Sequence, residues 1–512
     1  MITVKEYRGH IRNWEALCEE LGISKELSRE EREEKILLAA YEKFGGEMAL
    51  HMHGMFAFAL YDDEKDELFC LRDQFGTKPF YYYVTNDGRL LYGTMIRDIM
   101  EKDEFKKELN EEMLQIYLSL TYVGGEDTFF KGLKKLMPGH YMTFKNGELK
   151  ITRYWKPEFH PDESKTLDEW ADEIHSTLLG IMKEVKTPDE TAESFLSGGV
   201  DSSYVFAVSD AEMSDSCGYE EARFDESPLA AKTAEILGRK NSKLIITPKM
   251  FFDTVPYTMY NMEQPLGDAS AIVFTLGCNA TAKHTKLCYS GEGSDELFGG
   301  YNMYRNAERY GDNLKTFYVG NTNIMKEDEK QRILKNYDPS VLPINLVKSI
   351  YEENEGIDPL SKMSDVDIRI WLEGDIYLNV DKMSTAAGLE IRMPLTDTRI
   401  FDIASRLPSK YKVNETQNKV AFRTAAAKVL PEEVAFRKKL GFIVPIRIWM
   451  ADSRYNGDVV AKFNSEYAEK FFNVEEINKI FDAYVGGDSD LWRKVWTIYT
   501  FLVWYEEYFV KR

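Results

Sequence analysis

The chain has 512 residues, 44% of them apolar and 29% charged, which suits a globular protein of two to four domains with ample core. A formal net charge of −21 argues against an extended nucleic-acid surface, which needs basic patches, yet leaves room for one local phosphate site. The five cysteines, Cys18, Cys70, Cys217, Cys278 and Cys288, lack metal-ligand spacing, and there is neither an apolar signal core nor a long apolar run. The expectation is therefore reduced thiols in a cytoplasmic chain that spans no membrane.

Taken in chain order, Trp14-Glu15-Ala16-Leu17-Cys18 has the spacing of an amphipathic helix. Gly54–Asp62 is strand-like, Asp63-Glu64-Lys65-Asp66 is a charged turn, and Glu67-Leu68-Phe69-Cys70-Leu71 starts a return strand, so a hairpin is predicted. His51 and His53 alternate on the approach to it and neither reads as a metal ligand. Arg72–Tyr82 and Leu136–Tyr141 continue the hairpin. A polar stretch with Pro157 and Pro161 reads as a linker over 156–166. Thr166 with Glu169 then makes a capping box, and Leu167, Trp170, Ile174, Leu178, Ile181 and Val185 recur at helical spacing. The predicted division is 1–155, linker 156–166, and 167–512.

In the longer part, Ser194-Phe195-Leu196 leads into Ser197-Gly198-Gly199-Val200-Asp201-Ser202-Ser203, a strand running into a helix. Such a turn can close backbone N–H groups on a phosphate, aided by the positive end of the helix dipole. It lacks the lysine and spacing of G-x-x-x-x-G-K-[ST], and taken alone it is as well a plain loop. Three more segments change that balance: Ser290–Tyr301 (SGEGSDELFGGY), Val380–Met383 running on to Leu389–Asp397, and Arg437–Pro445 (RKKLGFIVP). The aromatic run Trp496–Tyr505 reads as a buried C-terminal helix.

The Ser197–Ser203 turn resembles the S-G-G-x-D-S pyrophosphate loop of enzymes that cleave ATP between its α and β phosphates. With the other three segments, in this order and spacing, residues 167–512 resemble the synthetase part of glutamine-dependent asparagine synthetases. That resemblance implies an α/β fold of the adenine-nucleotide α-hydrolase kind, with a parallel sheet and a helical C-terminal part. It also implies ATP and Mg²⁺ as cofactors. Leu196, Ser197, Gly198, Gly199, Asp201, Ser202, Ser203, Ser290 and Gly291 would surround the nucleotide, with Gly218–Glu221 also in the adenine pocket. Asp201 and Asp295 would hold the metal, while Glu292 and Lys439 would act on the adenylated carboxyl and the phosphates. Glu263, Pro265, Asp268 and Ser270 would edge the substrate site. Arg437-Lys438-Lys439 is also the pattern of a solvated basic run, and Lys439 rather than Lys438 rests on the family register. Asp381, Glu390, Arg392 and Asp397 read as a structural network.

Residues 1–155 resemble the later half of the class II glutamine amidotransferase domain, which implies a partial Ntn-type sandwich of two antiparallel sheets with helices. Here the chain departs from the pattern. The family nucleophile is an N-terminal cysteine, whereas this sequence begins Met1-Ile2-Thr3, and the expectation from the resemblance is that the family's first segment is absent. Aligning Tyr7-Arg8-Gly9-His10-Ile11-Arg12-Asn13 with Y-N-G-E-I-Y-N puts Arg8 at the oxyanion-stabilising asparagine and retains Gly9. Glu33 falls at an amine-binding aspartate, and Thr94-Met95 replaces an S-E pair. The implied function is an ATP-dependent ligase that activates a carboxylate, foremost the aspartate side chain, for amination by ammonia it does not make. A separate glutaminase and a homodimeric partner fit the resemblance. Three alternatives stay open: a ligase for another carboxylate, as β-lactam synthetases and lasso-peptide cyclases are, a non-catalytic relative, and a complete glutamine-hydrolysing synthetase whose start lies upstream.

Overall fold

The computed structural model describes residues 1–186, 190–438, 441 and 443–512. Its N-terminal strands are β1 (Ile2–Ile11), β2 (Gly54–Asp62), β3 (Glu67–Arg72), β4 (Tyr81–Val84), β5 (Leu90–Gly93), β6 (Leu133–Lys135), β7 (His140–Lys145) and β8 (Glu148–Arg153). They form two antiparallel sheets, ordered β1-β2-β3-β7-β8 and β5-β4-β6. The predicted hairpin is present, with Asp62 opposite Glu67. Strand β2 is apolar on both faces because both are covered. Phe56, Phe58 and Leu60 pack with Ile36, Leu37 and Ala40 of the helix Arg29–Phe44. Ala57 and Ala59 pack with Tyr82 of the small sheet and with Phe80 just before it. At Gly9 only glycine fits, because a Cβ there would lie 2.1 Å from the Met55 carbonyl oxygen.

The second part is built on β9 (Ala192–Phe195), β10 (Met213–Tyr219), β11 (Lys240–Ile246), β12 (Leu287–Tyr289) and β13 (Glu390–Arg392). These strands are all parallel, in the order β11-β10-β9-β12-β13. Chain direction across the sheet reverses between β9 and β12, the switch point at which loops diverge and leave a crevice at the strands' carboxyl ends. The capping box at Thr166 and Glu169 starts the helix Leu167–Val185, whose Trp170, Ile174, Leu178, Ile181 and Val185 are fully buried. The aromatic helix Trp492–Tyr505 is buried from Val495 to Tyr505. Its Trp504 packs 4.9 Å from Phe129 and 5.7 Å from Phe130, so the two parts share one core.

Residues 156–166 carry no helix or strand but are fastened down. His160 and Asp162 N–H donate to Ser405 and Arg406 carbonyls at 3.0 and 2.7 Å, and Phe159 packs against Phe401. The parts are further joined by buried ion pairs. Asp381 takes Arg8 at 2.8 Å and Lys78 at 3.0 Å. Glu373 takes Arg72 at 2.9 Å and Lys135 at 2.7 Å. Asp397 takes Arg12 at 2.8 Å and Arg399 at 2.9 Å, and Glu263 is held by Arg97 and Lys382.

Candidate active site

The two glycine-rich turns follow β9 and β12 and so meet at the switch point. In the first, hydroxyls set the shape: Ser202 Oγ accepts from the Ser197 N–H at 3.0 Å, and Ser197 Oγ accepts from the Gly199 N–H at 3.1 Å. Ser203 is buried and donates to the Gly199 carbonyl at 2.7 Å, so it supports the turn from behind. The helix Val200–Val208 has Gly199 as N-cap with no side-chain cap. Asp201 therefore sits in its first turn without capping it. The second turn lies directly on the first, since a Cβ on Gly291 would come 2.8 Å from both Asp201 C and Ser202 N.

Between the turns lies a cavity of about 590 Å³. Its walls include Leu196 through Ser202, Ser290 through Gly293, and Asp295. Lys419 is the residue that sequence reasoning missed. It is buried, and its Nζ lies 2.6 Å from Asp201 Oδ1, 2.7 Å from Asp295 Oδ1 and 2.8 Å from Ser294 Oγ. A Cβ on Gly300 would strike Lys419 Cε at 2.3 Å and Asp295 Oδ1 at 1.7 Å, which explains the second Gly-Gly pair. The available signal was Lys419 four residues before Arg423, in a helix start too ordinary to single out. Both carboxylates present hard oxygens to one point on the cavity wall, and two carboxylates share one ammonium, so the donor set fits a divalent cation such as Mg²⁺.

Arginines hold the rim. Arg423 donates to the Ala435 and Arg437 carbonyls at 2.8 and 2.9 Å, and Arg437 donates to the Gly198 carbonyl at 2.9 Å. Lys438 lines the cavity, whereas Lys439 lies outside the described residues. Glu292 lines it too and accepts from Ser290 Oγ at 3.3 Å. Burial, then the neighbouring Asp295 charge, pushes the Glu296 carboxyl up.

Several expected placements need correction. Gly218–Glu221 do not line the cavity; Asp215, Ser216 and Cys217 do. Glu221 instead accepts from Trp449 Nε1 at 2.6 Å, and Tyr219 packs on that indole. Strand β10 extends to Tyr219, so Gly218 and Tyr219 are still part of the sheet. Asp268 and Ser270 do line it, but Glu263 is turned away, accepting from the Ile96 and Arg97 N–H groups at 2.9 and 3.0 Å.

In the N-terminal part, Arg8 is spent on Asp381, with Met95 Sδ 3.0 Å from its Nη1. Glu33 accepts from Tyr7 Oη at 2.9 Å and the Ile11 N–H at 3.1 Å, and burial raises its pKa. Arg8 and Met95 thus meet, but Glu33 serves the other side of β1 with Tyr7. Cys18 lies on the buried face of the helix Trp14–Leu21, and burial pushes its thiol up, the opposite of an activated thiolate.

A doubly wound parallel sheet with glycine turns at its switch point, joined to an antiparallel sandwich, defines the class: an α/β protein whose crevice can cradle an anion. The asparagine synthase family description matches residues 175–506, and a glutamine amidotransferase domain matches residues 3–155. The chain belongs to the asparagine synthase family. It is 31% identical to asparagine synthetase (glutamine-hydrolyzing) 1 of Bacillus subtilis, over 99% of this chain and 86% of that one. A putative asparagine synthetase (glutamine-hydrolyzing) of Mycobacterium bovis is 29% identical over 92% of this chain and 79% of its own length. Asparagine synthetase (glutamine-hydrolyzing) 3 of B. subtilis is 26% identical over 85% and 74%.

Proposed function

We propose that this chain is an ATP-dependent amide-forming ligase that adenylates a carboxylate, the aspartate side chain being the favoured substrate, and that its amine arrives as ammonia made elsewhere. The observation that carries the reading is the pair Asp201 and Asp295 on one ammonium, beside two interlocked glycine turns at the switch point. Backbone N–H groups of Gly198, Val200 and Asp201 and the helix behind them suit the β and γ phosphates. A carboxylate oxygen then attacks the α-phosphorus, pyrophosphate leaves, and an acyl-adenylate forms. Ammonia attacks the acyl carbon, AMP departs, and Glu292 takes the proton. Lys419 and Lys438 spread the charge of the leaving groups, as preorganised cations do. Asp201 and Asp295 would hold Mg²⁺, which supplies further charge neutralisation for departing pyrophosphate.

The absence of glutamine hydrolysis is inferred from Arg8. A guanidinium held by Asp381 at 2.8 Å is unsuited to the work of a small neutral amide donor. The test is exchange of labelled pyrophosphate into ATP with L-aspartate, followed by product analysis with ammonium or glutamine as nitrogen source. Aspartate-dependent exchange and asparagine from ammonium alone are expected. Exchange with no amino acid supplied, or none at all, overturns the aspartate reading, and amide product from glutamine overturns the inactive glutaminase.

A further inference from the structure

The neighbouring strands β9 and β10 carry Glu193 and Asp215, both more than nine-tenths buried. Side chains alternate along a strand, so Glu193 and Phe195 share one face, as do Asp215 and Cys217, and Asp215 is in register with Phe195. That face is covered by the helix Ser270–Thr281, whose Gly277 approaches so closely that a Cβ would lie 3.3 Å from Cys217 Sγ. Just past the helix end, exposed His284 comes back to the same point. One ligand atom from each of Glu193, Asp215 and His284 lies within 4.8 Å of the others.

The electrostatics of this group differ from those of the ion-paired carboxylates at the boundary between the two parts. Glu193 Oε2 and Asp215 Oδ2 are buried acceptors without a hydrogen-bond donor, and Thr281 Oγ1, on the covering helix, is also unpartnered. The buried carboxylates between the two parts of the molecule each hold two cations. Among the described residues no lysine or arginine pairs with Glu193 or Asp215. Two buried carboxylates facing each other are costly unless a proton or a cation lies between them. Burial, then Asp215, raises the Glu193 pKa. The added imidazole makes the cluster a mixed oxygen–nitrogen donor set, which favours zinc or manganese over magnesium.

We infer that Glu193, Asp215 and His284 form a binding site for one divalent transition-metal ion of the zinc or manganese class, separate from the Asp201–Asp295 pair. The ion would clip β9 and β10 to the end of the covering helix. Asp215 and Thr281 also line the cavity, so the clip would stiffen a wall of the candidate active site. The inference stands apart from the adenylation reading, because it is tested by binding and not by turnover.

The experiment is calorimetric titration of the chelator-stripped full chain with Zn²⁺, and titration with Co²⁺ followed by its visible bands. The variants are His284→Gln, which alters an exposed residue and leaves the core intact, and Asp201→Asn. The expected result is one tight ion site present in both the wild type and Asp201→Asn, apart from any weaker uptake that the Asp201–Asp295 pair adds in the wild type. His284→Gln should bind at least ~10-fold more weakly, and Zn²⁺ should raise the Tm of the wild type but not of this variant. The inference is overturned if the stripped chain takes up neither ion, which would leave a carboxyl pair sharing a proton. It is equally overturned if His284→Gln binds as tightly as wild type, or if uptake is lost in Asp201→Asn.

Discussion

At the cavity, two carboxylates, Asp201 and Asp295, divide one ammonium between them, and both side chains are one-fifth exposed. At the boundary between the antiparallel and parallel parts the ratio is inverted: Asp381, Glu373 and Glu263 each take two cations and are buried to within a few per cent. A carboxylate saturated by two cations has no charge left for a ligand and acts as a rivet. One that shares its cation keeps residual negative potential at an open wall and can recruit a metal. Arg8 is part of one of these rivets, holding Asp381 at 2.8 Å across the boundary.

The largest expected effect is at the boundary. Glu373→Gln leaves the Arg72 and Lys135 charges buried and uncompensated, and should cost about 3–5 kcal/mol of stability by urea titration; a loss under about 1 kcal/mol would break the comparison. Next is the cavity, where Asp295→Asn should lower ATP–pyrophosphate exchange by roughly 10²–10³-fold while the urea midpoint stays near wild type. A variant that unfolds instead would put Asp295 among the rivets. Arg8→Asn should fall lower in the order, because Lys78 still pairs with Asp381. A stability loss of about 1.5–3 kcal/mol is expected, with no glutamine-dependent product, and appearance of that product would show that Arg8 alone silences the first part.

The smallest effect concerns acid. Arg392 and Arg29 hold the Glu390 carboxyl down at about 2, against the cost of its burial. A depressed folded-state pKa contributes stability that is fully present above the ordinary glutamate value and is lost as pH falls through about 2. The urea midpoint should therefore drop between about pH 4.5 and 2, and Arg29→Gln should flatten that slope. An unchanged slope in the variant would show that other carboxylates govern acid unfolding.

Much of this was legible in the residues. The capping box at Thr166, the hairpin around Asp63-Glu64-Lys65-Asp66 and the buried aromatic helix depend on local chemistry and short-range periodicity, and all are present. The glycine turns were legible because each glycine answers a backbone constraint. Lys419 was not, since nothing in its neighbourhood marks a lysine that must reach Asp201, 218 residues away. Gly218–Glu221 misled because a family register says which residues follow a strand and not how far the strand carries them. The Glu193–Asp215–His284 group was invisible because no sequence spacing joins residues brought together by parallel pairing and a helix crossing.

By itself, then, the amino-acid sequence determined the local elements, the glycine turns and the family. Which carboxylates became rivets and which stayed open was decided by tertiary structure alone. Charge pairing across hundreds of residues depends on distance and dielectric in the folded interior, and the linear order of residues encodes neither directly.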